Sequence, residues 1–139
     1  MGDFRYLYED CYFTVTTESS ESHDLCDYHW DDKVNEYFRS FHKEMFITEK
    51  ITRPILNLHP QIIYGASGTL EHLKSLGYKT FSDYWDEDYD QLNGERKLNA
   101  IMDILTDLGS RSLQDLHDMY WDMMPILKHN QALLLDTEV

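Results

Sequence analysis

The chain has 139 residues, with 26 Asp or Glu against 12 Lys or Arg, for a formal net charge of −14. At 42% hydrophobic and 14% aromatic residues it carries too much apolar material for a disordered acidic tail, and residues 1–139 read as one domain. The charge argues against direct nucleic-acid binding, and no apolar run reaches the ~20 residues of a membrane span.

The early acids leave no signal-peptide core after Met1. Two cysteines, Cys11 and Cys26, then fit free thiols in a reducing compartment, and the expected location is the cytoplasm. In chain order, Tyr12-Phe13-Thr14-Val15-Thr16-Thr17 is β-branched and aromatic and predicts a strand, ended by the polar stretch Glu18 to Ser22. His23 to Lys43 reads as a long loop with a short helix over Lys33 to Phe41. Thr48 stands where a helix cap belongs, and Ile51, Ile55 and Leu58 recur at helical spacing behind it. Pro54 predicts either a later start, near Pro54 itself, or an irregular first turn. His59-Pro60 ends this helix.

Gln61-Ile62-Ile63-Tyr64 predicts a second strand, closed by Gly65. Ser67 caps a helix from Gly68 to Leu76, with Leu70 and Leu73 facing inward and Gly77 as its left-handed stop. Tyr78-Lys79-Thr80-Phe81 predicts a third strand. Strand, helix, strand, helix and strand alternate, which implies an α/β domain with a small Rossmann-like parallel sheet. Asp83 to Asp90 is an acidic, aromatic loop. Glu95 to Leu108 predicts an amphipathic helix with Leu98, Ile101, Met102, Leu105 and Leu108 on one stripe, stopped by Gly109. Ser112-Leu113-Gln114-Asp115 opens a last helix to about Leu134, kinked at Pro125. These two C-terminal helices are expected to pack on the sheet or on each other.

The first candidate ligand site is Thr48-Glu49-Lys50. A lysine in a first turn sits at the positive end of the helix macrodipole, and with the exposed N–H groups it makes an anion site. Glu49 suits a ribose diol, Phe46 suits a base or sugar face, and Arg53 adds a second cation. That set fits a nucleotide diphosphate. The plain alternative is a solvated Glu-Lys-Arg surface turn.

Phe46-x-x-Glu49-Lys50, an apolar helix, and then His59-Pro60-Gln61-Ile62-Ile63-Tyr64-Gly65 resemble a known pattern. It is that of the C-terminal, nucleotide-sugar-binding lobe of two-lobed (GT-B type) glycosyltransferases, the α-1,3-fucosyltransferase-like family. Gly68-Thr69-Leu70, Gly77-x-Lys79-Thr80-Phe81, Trp85-Asp86-Glu87-x-Tyr89-Asp90 and Ile126-Leu127-x-His129-Asn130 are similar to such lobes in phage and bacterial proteins. The resemblance runs from about Tyr12 to Asn130. It implies Phe46 and Glu49 against the nucleoside, Lys50 against the diphosphate, and Glu18 at the end of an earlier strand of the same lobe. It implies a nucleotide sugar as ligand and, for a phage-encoded chain, the host cytoplasm. Those enzymes carry the acceptor site and the general base on their other lobe. Ligand binding is therefore expected of this chain, and transfer chemistry only with a second lobe on another chain.

Other clusters have their own readings. His23-x-x-Cys26-x-x-His29, interleaved by Asp24 and Asp27, offers zinc-type ligands, but at no standard structural-zinc spacing. A polar loop is the alternative. The acidic loop lacks the ligand order of an EF-hand. Its Tyr84, Trp85, Asp86, Glu87 and Asp88 form a candidate surface for a basic protein partner, and its aromatics equally suit anchoring to the core. Leu116, Met119, Tyr120, Met123, Met124 and Leu127 read as core, with any surplus a homodimer seam. His59 and His129 read as structural. No Ser-His-Asp array, P-loop, GxGxxG or HExxH is present. The second functional reading is an acidic interaction module, a phage-type inhibitor or nucleic-acid mimic, that keeps the fold without the chemistry.

Overall fold

A computed structural model describes residues 6–18 and 48–137. The helix expected over Lys33 to Phe41 lies outside them. Helix α1 (Tyr6–Glu9) leads to strand β1 (Thr14–Thr17), and helix α2 (Glu49–Leu56) leads to strand β2 (Gln61–Tyr64). Next come helix α3 (Thr69–Ser75) and a 3-10 turn (Asp88–Gln91). The last elements are helices α4 (Gly94–Ser110), α5 (Leu113–Asp122) and α6 (Met124–Thr137).

β1 and β2 run parallel, with Thr14 opposite Gln61, Val15 opposite Ile62, Thr16 opposite Ile63 and Thr17 opposite Tyr64. Parallel neighbours need a long crossover, and α2 belongs to it. α2 packs on β1 and on α6, while α4 packs on β2 and the 3-10 turn. Ile62 and Ile63 are both buried, so β2 is covered on both faces, as parallel strands usually are. Around them close Ile51 and Ile55 of α2, Leu70 and Leu73 of α3, Ile101 and Leu108 of α4, and Met123 and Leu127 of the C-terminal helices. Gln61 joins the layers. Its side chain accepts from the Thr16 hydroxyl at 2.8 Å and donates to the Ile51 carbonyl at 3.0 Å.

Several boundaries depart from expectation. α2 starts at Glu49 with Pro54 inside it. The proline removes only the bond to the Lys50 carbonyl, its ring is buried, and an Ile51 N–H to Thr48 O bond tightens the first turn. Leu58 then takes a left-handed φ of 55°, and its carbonyl accepts from the Tyr120 hydroxyl at 2.9 Å. The expected third strand at Tyr78 to Phe81 is not a strand. Asn130 of α6 takes both backbone groups of Lys79, at 2.8 and 2.9 Å, and does for this segment what a neighbouring strand would do. Gly77 is the α3 stop, with φ at 100°.

Gly109 does not stop α4, which continues to Ser110. The buried face of α4 is Lys97, Ile101 and Leu108, while Leu98 and Met102 are exposed, at 46% and 51%. The last helix is two helices, divided at Met123, with Pro125 in the first turn of α6 where its missing N–H costs nothing. Ser112 caps α5 by accepting from the Asp115 N–H at 3.1 Å, as its spacing implied. Met119, Met123 and Leu127 of the apolar stripe are core, and Leu116, Tyr120 and Met124 are half-buried. No helix of the described residues is long and apolar enough to cross a membrane.

Candidate functional site

The two strands end side by side, at Thr17 and Tyr64. Glu18 continues the pairing, its N–H donating to the Tyr64 carbonyl at 2.9 Å. Its half-buried carboxylate accepts from the Thr48 hydroxyl. So Glu18 and Thr48, thirty residues apart, meet where β1 ends and α2 begins. This contact corrects the expectation that Thr48 caps its own helix by its side chain. Thr48 has the extended backbone of a cap residue, with φ −81° and ψ 168°, but its hydroxyl serves Glu18.

The N–H groups of Glu49 and Lys50 have no acceptor among the described residues. Glu49 and Lys50 are both exposed. Glu49 accepts from Arg53 at 2.5 Å, one turn along the helix, so these two expected ligand groups are directed at each other. Lys50 makes no ion pair among the described residues. Phe46 lies outside them.

Behind this edge stands a residue that the sequence pattern concealed. Lys97, in the first turn of α4, is only 1% exposed, and its ammonium donates to the Gly65 carbonyl at 2.5 Å. The expected apolar stripe of this helix runs through Leu98, which is exposed, and leaves Lys97 out. The signal was the spacing: Lys97, Ile101, Ile104 and Leu108 also lie on one helical stripe. Gly65 itself lies close to Glu18, whose Cβ would be 3.4 Å from an added methyl.

The turn after β2 is braced from the acidic loop. Asp90 is buried and accepts from the Leu70 and Glu71 N–H groups at 2.9 and 3.3 Å. It caps α3 in place of Ser67, whose hydroxyl bonds the Leu92 carbonyl at 3.0 Å instead. Tyr89 is buried, and its hydroxyl accepts from the Ile63 N–H at 3.4 Å.

Of the residues considered for a basic partner, Asp86 and Asp88 are exposed and adjacent Asp83 is too. Trp85 is buried and packs on Phe81 at 5.6 Å, so it anchors the loop and offers no exposed ring to a partner. Tyr84 is half-buried and donates to the Asp122 carboxylate at 2.6 Å, which pushes its pKa up to about 12. Glu87 is half-buried and accepts from the Phe81 N–H at 3.2 Å, and burial holds its carboxyl above its ordinary pKa.

Among the described residues no group of His, Cys, Asp or Glu is placed to hold a metal ion. His23, Cys26 and His29 lie outside them. His59 is buried at the opposite edge of the sheet. Its Nε2 bonds the Cys11 carbonyl at 2.7 Å and its Nδ1 bonds the Thr14 hydroxyl. A carbonyl only accepts, so Nε2 carries the proton and Nδ1 accepts from Thr14. Burial lowers the pKa of this imidazole. His59 therefore ties the residues before β1 to β2, and His129 bonds the Gly77 carbonyl at 2.9 Å, so both are structural.

Beside His59 opens a cleft of about 520 Å³, lined by residues of α1, of the 56–58 turn and of α5. No protein-family model, curated protein or solved structure matches the chain.

Proposed function

We propose that the chain is a nucleotide- or nucleotide-sugar-binding module related to the donor lobe of GT-B type glycosyltransferases, with a small Rossmann-like sheet. The observation that carries this reading is the Glu18–Thr48 contact. It sets the N-terminus of α2 against the carboxyl ends of two parallel strands, where open α/β sheets bind their ligands. Two N–H groups that have no acceptor among the described residues and the exposed Lys50 support a diphosphate there. Phe46 is assigned to the base or sugar. The Glu49–Arg53 pair must open, or accept the ligand as a pair, for either to take part. Transfer chemistry would require an acceptor lobe on another chain.

Calorimetry against nucleoside diphosphates and their sugars tests the proposal. One base is expected to bind, and Lys50→Ala is expected to weaken it by about tenfold or more, because it removes a charge from a phosphate contact. Lys50 is exposed, so the variant keeps its fold. Unchanged affinity in the variant counts against the site.

A second reading rests on a different observation. Asp83, Asp86 and Asp88 are exposed on a turn fixed by buried Trp85 and Tyr89, in a chain of net charge −14. A rigid acidic turn suits a basic protein partner, as in a phage-type inhibitor. Binding would then weaken steeply with salt. Failure of the triple Asp→Asn variant to change a captured partner's affinity would exclude this turn as the contact.

A further inference from the structure

The cleft beside His59 is independent of the Lys50 site and lies at the other edge of the sheet. We propose that it binds a small quaternary ammonium cation, with Tyr12, Tyr120 and Trp121 as the walls of an aromatic cage.

Size comes first. The cleft holds about 520 Å³, within the range of small-molecule sites. Tyr8, Tyr12, His117, Tyr120 and Trp121 all line it. The rings stand steeply to one another. Tyr120 and Trp121 are 5.6 Å apart at 83°, Tyr12 and His117 are 5.9 Å apart at 78°, and Tyr12 and Tyr120 are 6.1 Å apart at 52°. These packed, tilted and edge-to-face contacts fix the rings against one another, so that together they line the cleft. Trp121 is 57% exposed, a large apolar surface for a ring with no burial to gain from its present neighbours.

Charge comes second. Among the described residues the lining carries one carboxylate, Glu9, and no Lys or Arg. Arg53 acts on Tyr8 from outside the lining, and it is paired with Glu49 at 2.5 Å. The whole chain adds a net −14. An anion is disfavoured here, and a cation gains both from the ring quadrupoles and from the field.

Hydrogen bonding decides the kind of cation. The Tyr120 hydroxyl is committed to the Leu58 carbonyl at 2.9 Å. The Tyr12 hydroxyl is committed to His117 Nδ1 at 3.2 Å. A primary ammonium needs three acceptors arranged around it, and each of these oxygens, its proton placed elsewhere, could supply only one. A tetraalkylated nitrogen needs none. Its charge is spread over methyl groups that rings can contact.

Calorimetry with choline and tetramethylammonium, against the neutral carbon isostere neohexyl alcohol and against phosphocholine, tests the assignment. Saturable binding of both cations is expected. The neutral isostere should bind at least about fivefold more weakly, since it loses the cation–π attraction and keeps the shape. Phosphocholine should bind more weakly than choline, because its phosphate meets Glu9 and, among the described lining residues, no Lys or Arg. That arm separates a free alkylammonium from a phosphorylated head group. Trp121→Ala should weaken choline by about fivefold or more, and Trp121→Phe by less. Trp121 is largely exposed, so circular dichroism of both variants should match the parent. No saturable binding, equal affinity for the neutral isostere, or a preference for phosphocholine would each overturn the proposal.

Discussion

The two edges of one pair of parallel strands are built from opposite materials. At the carboxyl edge, charged and hydroxyl groups converge: Glu18 on Thr48, Lys97 on Gly65, Asp90 on the start of α3. At the amino edge, a single buried imidazole holds the chain together, and rings surround a cleft. A parallel pair creates this asymmetry. Both chains leave the sheet on the same side, so turns and helix N-termini gather there with unfilled N–H groups. The other side receives chain ends whose polar groups must be satisfied before the strands begin, and His59 does that for Cys11 and Thr14.

If the carboxyl edge is held by charge, its largest single weakness is Lys97. Lys97→Ala leaves a cavity and an unbonded Gly65 carbonyl, and should cost roughly 3 kcal/mol in denaturant unfolding. Lys97→Met keeps most of the volume and should cost less. Equal losses for the two would mean that the bond from the ammonium, and not the volume of the side chain, holds this edge. The amino edge breaks at His59. His59→Ala removes two hydrogen bonds and a ring contact with Tyr8 at 5.1 Å, and should cost about 2 kcal/mol. It should also loosen Tyr8 and Tyr12, so choline binding should fall in this variant and not in Lys97→Met.

Local features were legible in the sequence where local chemistry decides them. β2 has the expected ends, Gly77 is the left-handed stop, and Ser112 caps its helix. What stayed hidden was set by partners far along the chain. The segment Tyr78 to Phe81 has strand composition, and it is kept from a ladder by Asn130, 51 residues from Lys79. Lys97 has no place in the expected apolar stripe, because burial of a lysine depends on an acceptor supplied by another element. Of the ligand site, Glu18, Thr48 and Lys50 do gather at one edge, while Glu49 and Arg53 face each other. The aromatic cleft had no sequence signal, since Tyr12 meets His117 across 105 residues.

A smaller effect lies at Asp90. Asp90→Asn keeps one acceptor oxygen and loses the charge at the N-terminus of α3, so it should cost about 1 kcal/mol. Hydrogen exchange should localise the loss to the Leu70 and Glu71 amides. Faster exchange at Thr14 as well would mean that the two edges unfold together.

Acid should act on the two regions with opposite sign. His59 has its folded pKa below the ordinary 6.5, with burial the main cause. The unfolded chain therefore takes up that proton first, and the stability His59 contributes is full above 6.5 and lost as pH falls through the folded value. Glu87 has its folded pKa above the ordinary 4.5, again chiefly by burial. Its contribution is full below 4.5 and lost as pH rises through the folded value. Lowering the pH from about 7 to about 5 should thus speed local opening at the Thr14 amide and slow it at the Phe81 amide, once intrinsic exchange rates are divided out. His59→Gln should remove the first trend and leave the second. Glu87→Gln should do the reverse, because its amide oxygen still accepts from Phe81 and no longer titrates. A common trend at both amides, unchanged by either substitution, would show one cooperative unit responding to net charge, and the independence of the two regions would be lost.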